Sequence, residues 1–110
     1  LEHVPDYASA IHEFARVLTT GGTCIATFPF NDQPGTVTRA RHLPDGSIKH
    51  IEIPEYHGDP ISGGILCYYH FGWDILEHFR TAGFTEASMV MPYSLEQGLP
   101  YGMWTLLARR

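Results

Sequence analysis

The sequence predicts an α/β chain organised around a helix that feeds straight into a buried strand. Three adjoining stretches predict it: an amphipathic run from Asp6 to Thr20, the pair Gly21-Gly22, and the apolar stretch Thr23 to Phe30. Ala8, Ile11, Ala15 and Leu18 recur at the three-and-four spacing of one helical face. Phe14 and Val17 widen that face, and His12, Glu13 and Arg16 fall opposite it. Asp6 is placed to cap the helix, its carboxylate accepting from orphan amides one turn on. The glycines can take the left-handed conformation that stops a helix. Burying about five apolar side chains, at roughly 1.5–3 kcal/mol each, is enough to pin such a helix to a sheet. Thr23 to Phe28 reads as continuous rather than alternating, as expected of a strand covered on both faces in a parallel unit.

Beyond Phe30 the composition changes. Asn31-Asp32-Gln33-Pro34-Gly35 is turn chemistry and ends the strand. Thr36 to Leu43 and Ser47 to Ile53 flank Pro44-Asp45-Gly46, the pattern of a β-hairpin with a tight turn. Arg39, Arg41, His42, Lys49 and His50 make its flanks half polar, so it is expected to be an exposed excursion. Pro54 to Gly64 is a loop carrying Tyr56, His57 and Asp59, and Ile65 to Phe71 is a short apolar and aromatic run. Gly72 to Ala82 predicts a second helix, with Ile75, Leu76, Phe79 and Ala82 on one face. Gly83 should cap it in the left-handed conformation while Phe84 packs back on its last turn. Strands are expected at Ala87 to Met91 and at Met103 to Ala108.

Several of these elements resemble, in order and spacing, class I S-adenosylmethionine-dependent methyltransferases. The residues are Leu1-Glu2-His3-Val4-Pro5-Asp6, a helix ending Arg16-Val17-Leu18, Gly21-Gly22, and a strand closing in Phe28-Pro29-Phe30. Further on, a helix ending Ala82-Gly83-Phe84 precedes two strands, the last ending Ala108-Arg109. The resemblance covers residues 1–30 and 71–110 well and the stretch between them poorly. The stretch from Glu55-Tyr56-His57-Gly58-Asp59-Pro60 to Phe71-Gly72-Trp73-Asp74 resembles a subset of such enzymes.

It implies the C-terminal half of a doubly wound, Rossmann-like sheet: its last three strands and two helices, with a β-hairpin insertion. A helix and fifth strand would occupy 1–30, the insertion 31–64, and the last helix and final two strands 65–110. In the family the Leu-Glu-His-Val segment follows the fourth strand, and the final strand runs antiparallel between the fifth and sixth. The family holds its methyl donor on a glycine-rich turn after the first strand and an acidic residue after the second. This chain has no Gly-x-Gly-x-Gly run, so S-adenosylmethionine is expected to bind it weakly or not at all. With the fourth strand missing, one edge of Thr23–Phe28 would be bare, and a bare apolar edge seeks another strand. The expected partner is a second copy, through that edge or the apolar helix faces beside it.

Composition narrows the classes. In 110 residues, 44% are apolar and 17% charged, which is globular rather than disordered. A net charge of -5 without a Lys/Arg run speaks against a nucleic-acid partner. No apolar run approaches the length of a membrane span. No signal peptide is visible, although the chain opens without Met. Cys24 and Cys67 lie in strand-like stretches without close spacing, so they read as free thiols of a reducing, cytoplasmic compartment and not as a zinc site.

The candidate site follows from the resemblance. Leu1, Glu2 and His3 would border the methionine end of the donor, at the rim where open α/β sheets place ligands, and His3 would be the candidate general base. Phe30 and Asn31 would share that rim on the acceptor side. Tyr56, His57, Tyr68, Tyr69, His70 and Trp73 form the densest aromatic and imidazole stretch in the chain. Tyr56, His57 and Tyr69 are its candidates for a lid over a small-molecule acceptor, packing of a loop onto the sheet being the plainer role. Some O- and RNA-methyltransferases similar to this chain bind Mg²⁺ through Glu-x-x-Glu-His and a later His. Glu2-His3 matches the tail of that motif, but its first Glu would precede Leu1 and the Leu-Glu-His-Val form is commoner without metal. No metal ligand is therefore assigned.

The implied activity is transfer of a methyl group to a small-molecule oxygen, nitrogen or carbon, by a displacement in which alignment does most of the work. Two alternatives come from other classes: a non-catalytic methyltransferase-like module, and a small binding domain that recognises a partner through its aromatic loop.

Overall fold

The computed structural model describes residues 1–58, 61 and 63–110. The helices are α1 (Tyr7–Val17) and α2 (Ile75–Thr81). The strands are β1 (Thr23–Ala26), β2 (Val37–Thr38), β3 (Ala40–His42), β4 (Ile48–His50), β5 (Tyr56–His57), β6 (Ile65–Leu66), β7 (Tyr69–His70), β8 (Glu86–Val90) and β9 (Thr105–Arg109).

Asp6 caps α1 as its sequence position suggests, accepting from the Ser9 amide at 2.9 Å. Ile11 and Ala15 are buried and Phe14 and Leu18 half-buried, but Val17 lies 66% exposed. The helix ends one residue later, where Leu18 is already extended. Gly21, with φ at +78°, instead turns the chain into β1. α2 closes as the sequence predicts: Gly83 takes φ +105°, its amide donates to Arg80, and the Phe84 amide reaches back to the Phe79 carbonyl. That paired bonding satisfies two carbonyls of the last turn, and the Phe79 and Phe84 rings pack 5.1 Å apart.

The doubly wound sheet is not what the chain forms. Among the described residues every pair of strands is antiparallel, and they fall into a three-stranded sheet in the order β1-β9-β8 and three two-stranded ribbons, β2-β7, β3-β4 and β5-β6. Among the described residues the one parallel contact is the isolated bridge of Phe30 with Phe71. β9 does lie between β1 and β8, antiparallel to both.

The three-stranded sheet is also covered on one face only. Its register sets Cys24, Ala108 and Ala87 in one cross-strand row, and Ala26, Leu106 and Met89 in the next. These rows pack with Ile11, Ala15, Ile75, Phe79 and Phe84 in the core. The alternate rows, Thr23-Arg109-Glu86 and Ile25-Leu107-Ser88, are exposed. Thr23 to Ala26 therefore alternates after all. Its inward side chains are small, which makes a one-sided strand read as a continuous run.

The stretch after β1 is shorter in regular structure than its sequence pattern implies. The hairpin keeps only β3 and β4 around the Pro44-Asp45-Gly46 turn. β2 instead pairs with β7, and the Arg39 amide donates to the Tyr68 carbonyl at 2.7 Å. The segment is thereby sewn to the core, and Ala40 is 1% exposed. No helix among the described residues is long and apolar enough to cross a membrane.

Candidate functional site

The run Cys67 to Phe71 connects the two segments that the sequence places on one rim. The Tyr68 amide donates to the Glu2 carbonyl at 2.8 Å. Three residues on, the Phe71 amide donates to Pro29 and the Phe71 carbonyl accepts from Asn31, each at 2.8 Å. Glu2-His3 and Phe30-Asn31 are thus held about 10 Å apart along an extended segment.

A polar cluster grows from the first of these segments. β5 pairs with β6, setting His57 opposite Ile65 and Tyr56 opposite Leu66. His57 Nδ1 comes to 3.2 Å from His3 Nε2, with the two rings edge to face at 88°. The outer nitrogens are also engaged. His3 Nδ1 lies 2.9 Å from the Leu66 carbonyl, and His57 Nε2 lies 3.1 Å from Glu55 Oε1. Glu2 Oε1 faces both inner nitrogens, 3.5 Å from His3 and 3.6 Å from His57. Its other oxygen lies 3.1 Å from the Leu1 nitrogen.

Glu55 is the hub of the outer layer. It meets His70 Nε2 at 3.0 Å and Arg39 Nη2 at 3.2 Å besides His57. The bond from His70 above all, then that from His57 and the charge of Arg39, hold its carboxyl below its usual value against a smaller effect of desolvation. Arg39 also donates to the Ile53 carbonyl at 2.9 Å, while its Nε is buried without a hydrogen-bond partner. Cys67 stands beside Glu55 and His70. Burial pushes its thiol up, and its Sγ donates to the Tyr69 carbonyl, so it sits there as a neutral packing group. Both cysteines are free, Cys67 buried and Cys24 half-buried.

The other sequence candidates go elsewhere. Leu1 packs against the core. Tyr69 is buried, donates its hydroxyl to the Pro5 carbonyl, and stacks edge-on with Tyr7 at 4.8 Å. Tyr68 is likewise a core residue, which is the packing role weighed for this stretch. Tyr56 is exposed. Phe30 stands edge-on to Trp73 at 5.1 Å and to Trp104 at 5.6 Å, a second aromatic corner whose Trp73 Nε1 donates to Asp32 at 2.6 Å. Asn31 is exposed beside it. Asp59, in the same loop as His57, lies outside the described residues.

Glu55, Arg39 and Cys67 escaped the sequence reading as site residues. A signal existed for the first: Glu55 and His57 are two apart in an extended stretch, so their side chains share one face. Nothing in the half-polar run around Arg39 marks it as the partner of a carboxylate sixteen residues on.

Comparison with protein-family models, with curated proteins and with solved structures finds no match to this chain.

Proposed function

We propose that this chain is part of an S-adenosylmethionine-dependent methyltransferase acting on a small-molecule acceptor, that it supplies the acceptor side of the site, and that these 110 residues taken alone pair with a second copy. One observation supports the reading most. The connection through Tyr68 and Phe71 joins the Glu2-His3 and Phe30-Asn31 segments, and β5 brings His57 against Glu2 and His3, with Glu55 behind it. The residues that the resemblance assigns to one rim are thereby linked by one segment.

Leu1, Glu2 and His3 do not by themselves form a cradle for the donor. Leu1 turns into the core, and the Glu2 carboxylate faces the two histidines. In this reading the donor's glycine turn lies outside these residues, and no step is assigned to the donor here. What the cluster suits is the acceptor. His3 Nδ1 faces a carbonyl and so carries the proton, and its Nε2 joins His57 Nδ1 and Glu2 Oε1 in a polar face that can polarise a proton-bearing acceptor atom. The partner-binding alternative is less well supported, because β1 retains an outer edge unpaired by any strand among the described residues.

The test is the product of the longest reading frame that encodes these residues, titrated calorimetrically with S-adenosylhomocysteine. Saturable binding to that product, and labelled methyl transfer that falls in His3→Ala, are expected. A product that binds no S-adenosylhomocysteine overturns the reading.

A further inference from the structure

We infer that Glu2, His3 and His57 form a three-ligand site for a divalent transition-metal ion of the zinc type, with a fourth position open. The argument begins with hydrogen-bond accounting. A backbone carbonyl can only accept, so the His3 Nδ1 that faces Leu66 at 2.9 Å carries a proton. An ionised carboxylate can only accept, so the His57 Nε2 facing Glu55 at 3.1 Å carries one too. In the neutral rings the opposite nitrogens, His3 Nε2 and His57 Nδ1, then both present lone pairs, and they do so to each other at 3.2 Å. Glu2 Oε1 adds a third acceptor at 3.5 and 3.6 Å. With both rings neutral, three lone-pair atoms converge without a donor among them, and a cation between them, a metal ion or a second ring proton, relieves the repulsion.

The dimensions identify the cation. A tetrahedral ion with bonds of about 2.0–2.1 Å holds its ligand atoms roughly 3.3–3.4 Å apart. The triangle here has edges of 3.2, 3.5 and 3.6 Å, close to one face of that tetrahedron. Two imidazole nitrogens and one carboxylate oxygen suit zinc and its neighbours, whereas magnesium prefers oxygen ligands in octahedral array. The surrounding bonds fit as well. Each ligating histidine gives its other N–H to an acceptor, Leu66 carbonyl for His3 and Glu55 carboxylate for His57, which fixes the tautomer a metal needs. His70 and Arg39 in turn hold Glu55 in place. The His3 and His57 side chains are 28% and 33% exposed, so an ion and one further ligand can reach the site. Binding rests on these distances alone. That the open position would take an acceptor's oxygen rests in addition on the methyltransferase reading.

The experiment uses the tag-free chain, stripped with chelator, and titrated with Zn²⁺ by calorimetry and with Co²⁺ by visible absorption. One equivalent of Zn²⁺ should bind, Co²⁺ should show the intense bands of a tetrahedral site, and millimolar Mg²⁺ should not compete. Imidazole ¹H–¹⁵N spectra should move His3 and His57 and leave His12, His42 and His50 in place, a readout that needs no variant. His57→Ala should abolish binding, and Glu55→Gln should weaken it about 10–100-fold by releasing the His57 tautomer. Circular dichroism of each variant shows that it is folded. Overturning results are Zn²⁺ shifts confined to the other histidines, unchanged affinity in folded His57→Ala, or no binding with the His3–His57 pair bridged by a shared proton only. Zinc binding by this chain, with no S-adenosylhomocysteine binding by the product of the longest reading frame, would keep this site and remove the function proposed above.

Discussion

Phe71 is the side chain on which distant parts of the chain converge. It is 0% exposed, and its ring stands 4.9 Å from Phe28 after β1, 5.2 Å from Tyr7 in α1 and 5.9 Å from Tyr69. Truncation removes one partner from three edge-on or tilted pairs and leaves a cavity, so Phe71→Ala should lose about 3–5 kcal/mol in urea unfolding. Asp6 makes a smaller, titratable contribution. The Ser9 amide, then the Ser9 hydroxyl, hold its carboxyl below the ordinary value. A depressed carboxyl contributes stability above its unfolded pKa and loses it as pH falls through the folded one. Helix content followed by circular dichroism from about pH 5 to pH 2 should therefore drop more in the wild type than in Asp6→Asn, which keeps a cap that cannot ionise. Such local chemistry is readable from sequence because its partners are neighbours, three residues apart in this case. The Glu55–Arg39 pair was not readable, since its partners meet through tertiary backbone bonds: the Arg39 carbonyl accepts from Ile51 and Glu52, and the Arg39 and Glu55 segments both bond to the Cys67-Tyr68 run.

At the scale of elements, the two helices and the three longer strands were legible to within two or three residues, since each carries its own period and stop. Which faces they cover was not. Cys24 and Ala26 point inward beside Ile25, and a run mixing small inward with large outward residues hides its alternation. The strand was expected between two layers and has one. Of the ribbons between β1 and α2, the β3-β4 hairpin was legible from its turn, while the β2-β7 and β5-β6 pairings escaped because strands of two residues carry too little pattern to register. Their placement is nonetheless exacting where they approach α2. Asp74 binds the Thr36 amide at 2.9 Å and its hydroxyl at 2.7 Å. That brings the 33–36 turn so close to Gly72 that an added Cβ would meet the Gly35 carbonyl carbon and oxygen at 2.5 Å and the Gln33 oxygen at 2.7 Å. Backbone cannot rotate away as a side chain can. Gly72→Ala should therefore cost about 1–3 kcal/mol by overpacking alone, read as a fall in melting temperature, whereas Gly46→Ala, with open space around it, meets only backbone strain.

For the molecule as a whole, the open side of β1 is the feature with the largest consequence. β9 satisfies one edge of that strand, and among the described residues no strand pairs with the other. Ile25 is 70% exposed on the uncovered face. Beside it, Phe14, Val17, Leu18 and Cys24 line an apolar cleft between α1 and the sheet. An unpaired edge offers backbone donors and acceptors in register, and the adjoining cleft offers apolar area, so association of two copies would use both. A two-fold antiparallel pairing of β1 with its own copy satisfies the geometry with a single patch. Light scattering at micromolar concentration should then report a dimer. Ile25→Lys should shift it to monomer, because a charge on an edge strand must be desolvated when a second strand docks. That substitution sits on the exposed face and outside the core, so its effect on unfolding of the chain should stay within about 0.5 kcal/mol. A wild-type chain that stays monomeric leaves the edge without the partner assigned to it, and a dimer indifferent to Ile25→Lys places the contact on another surface.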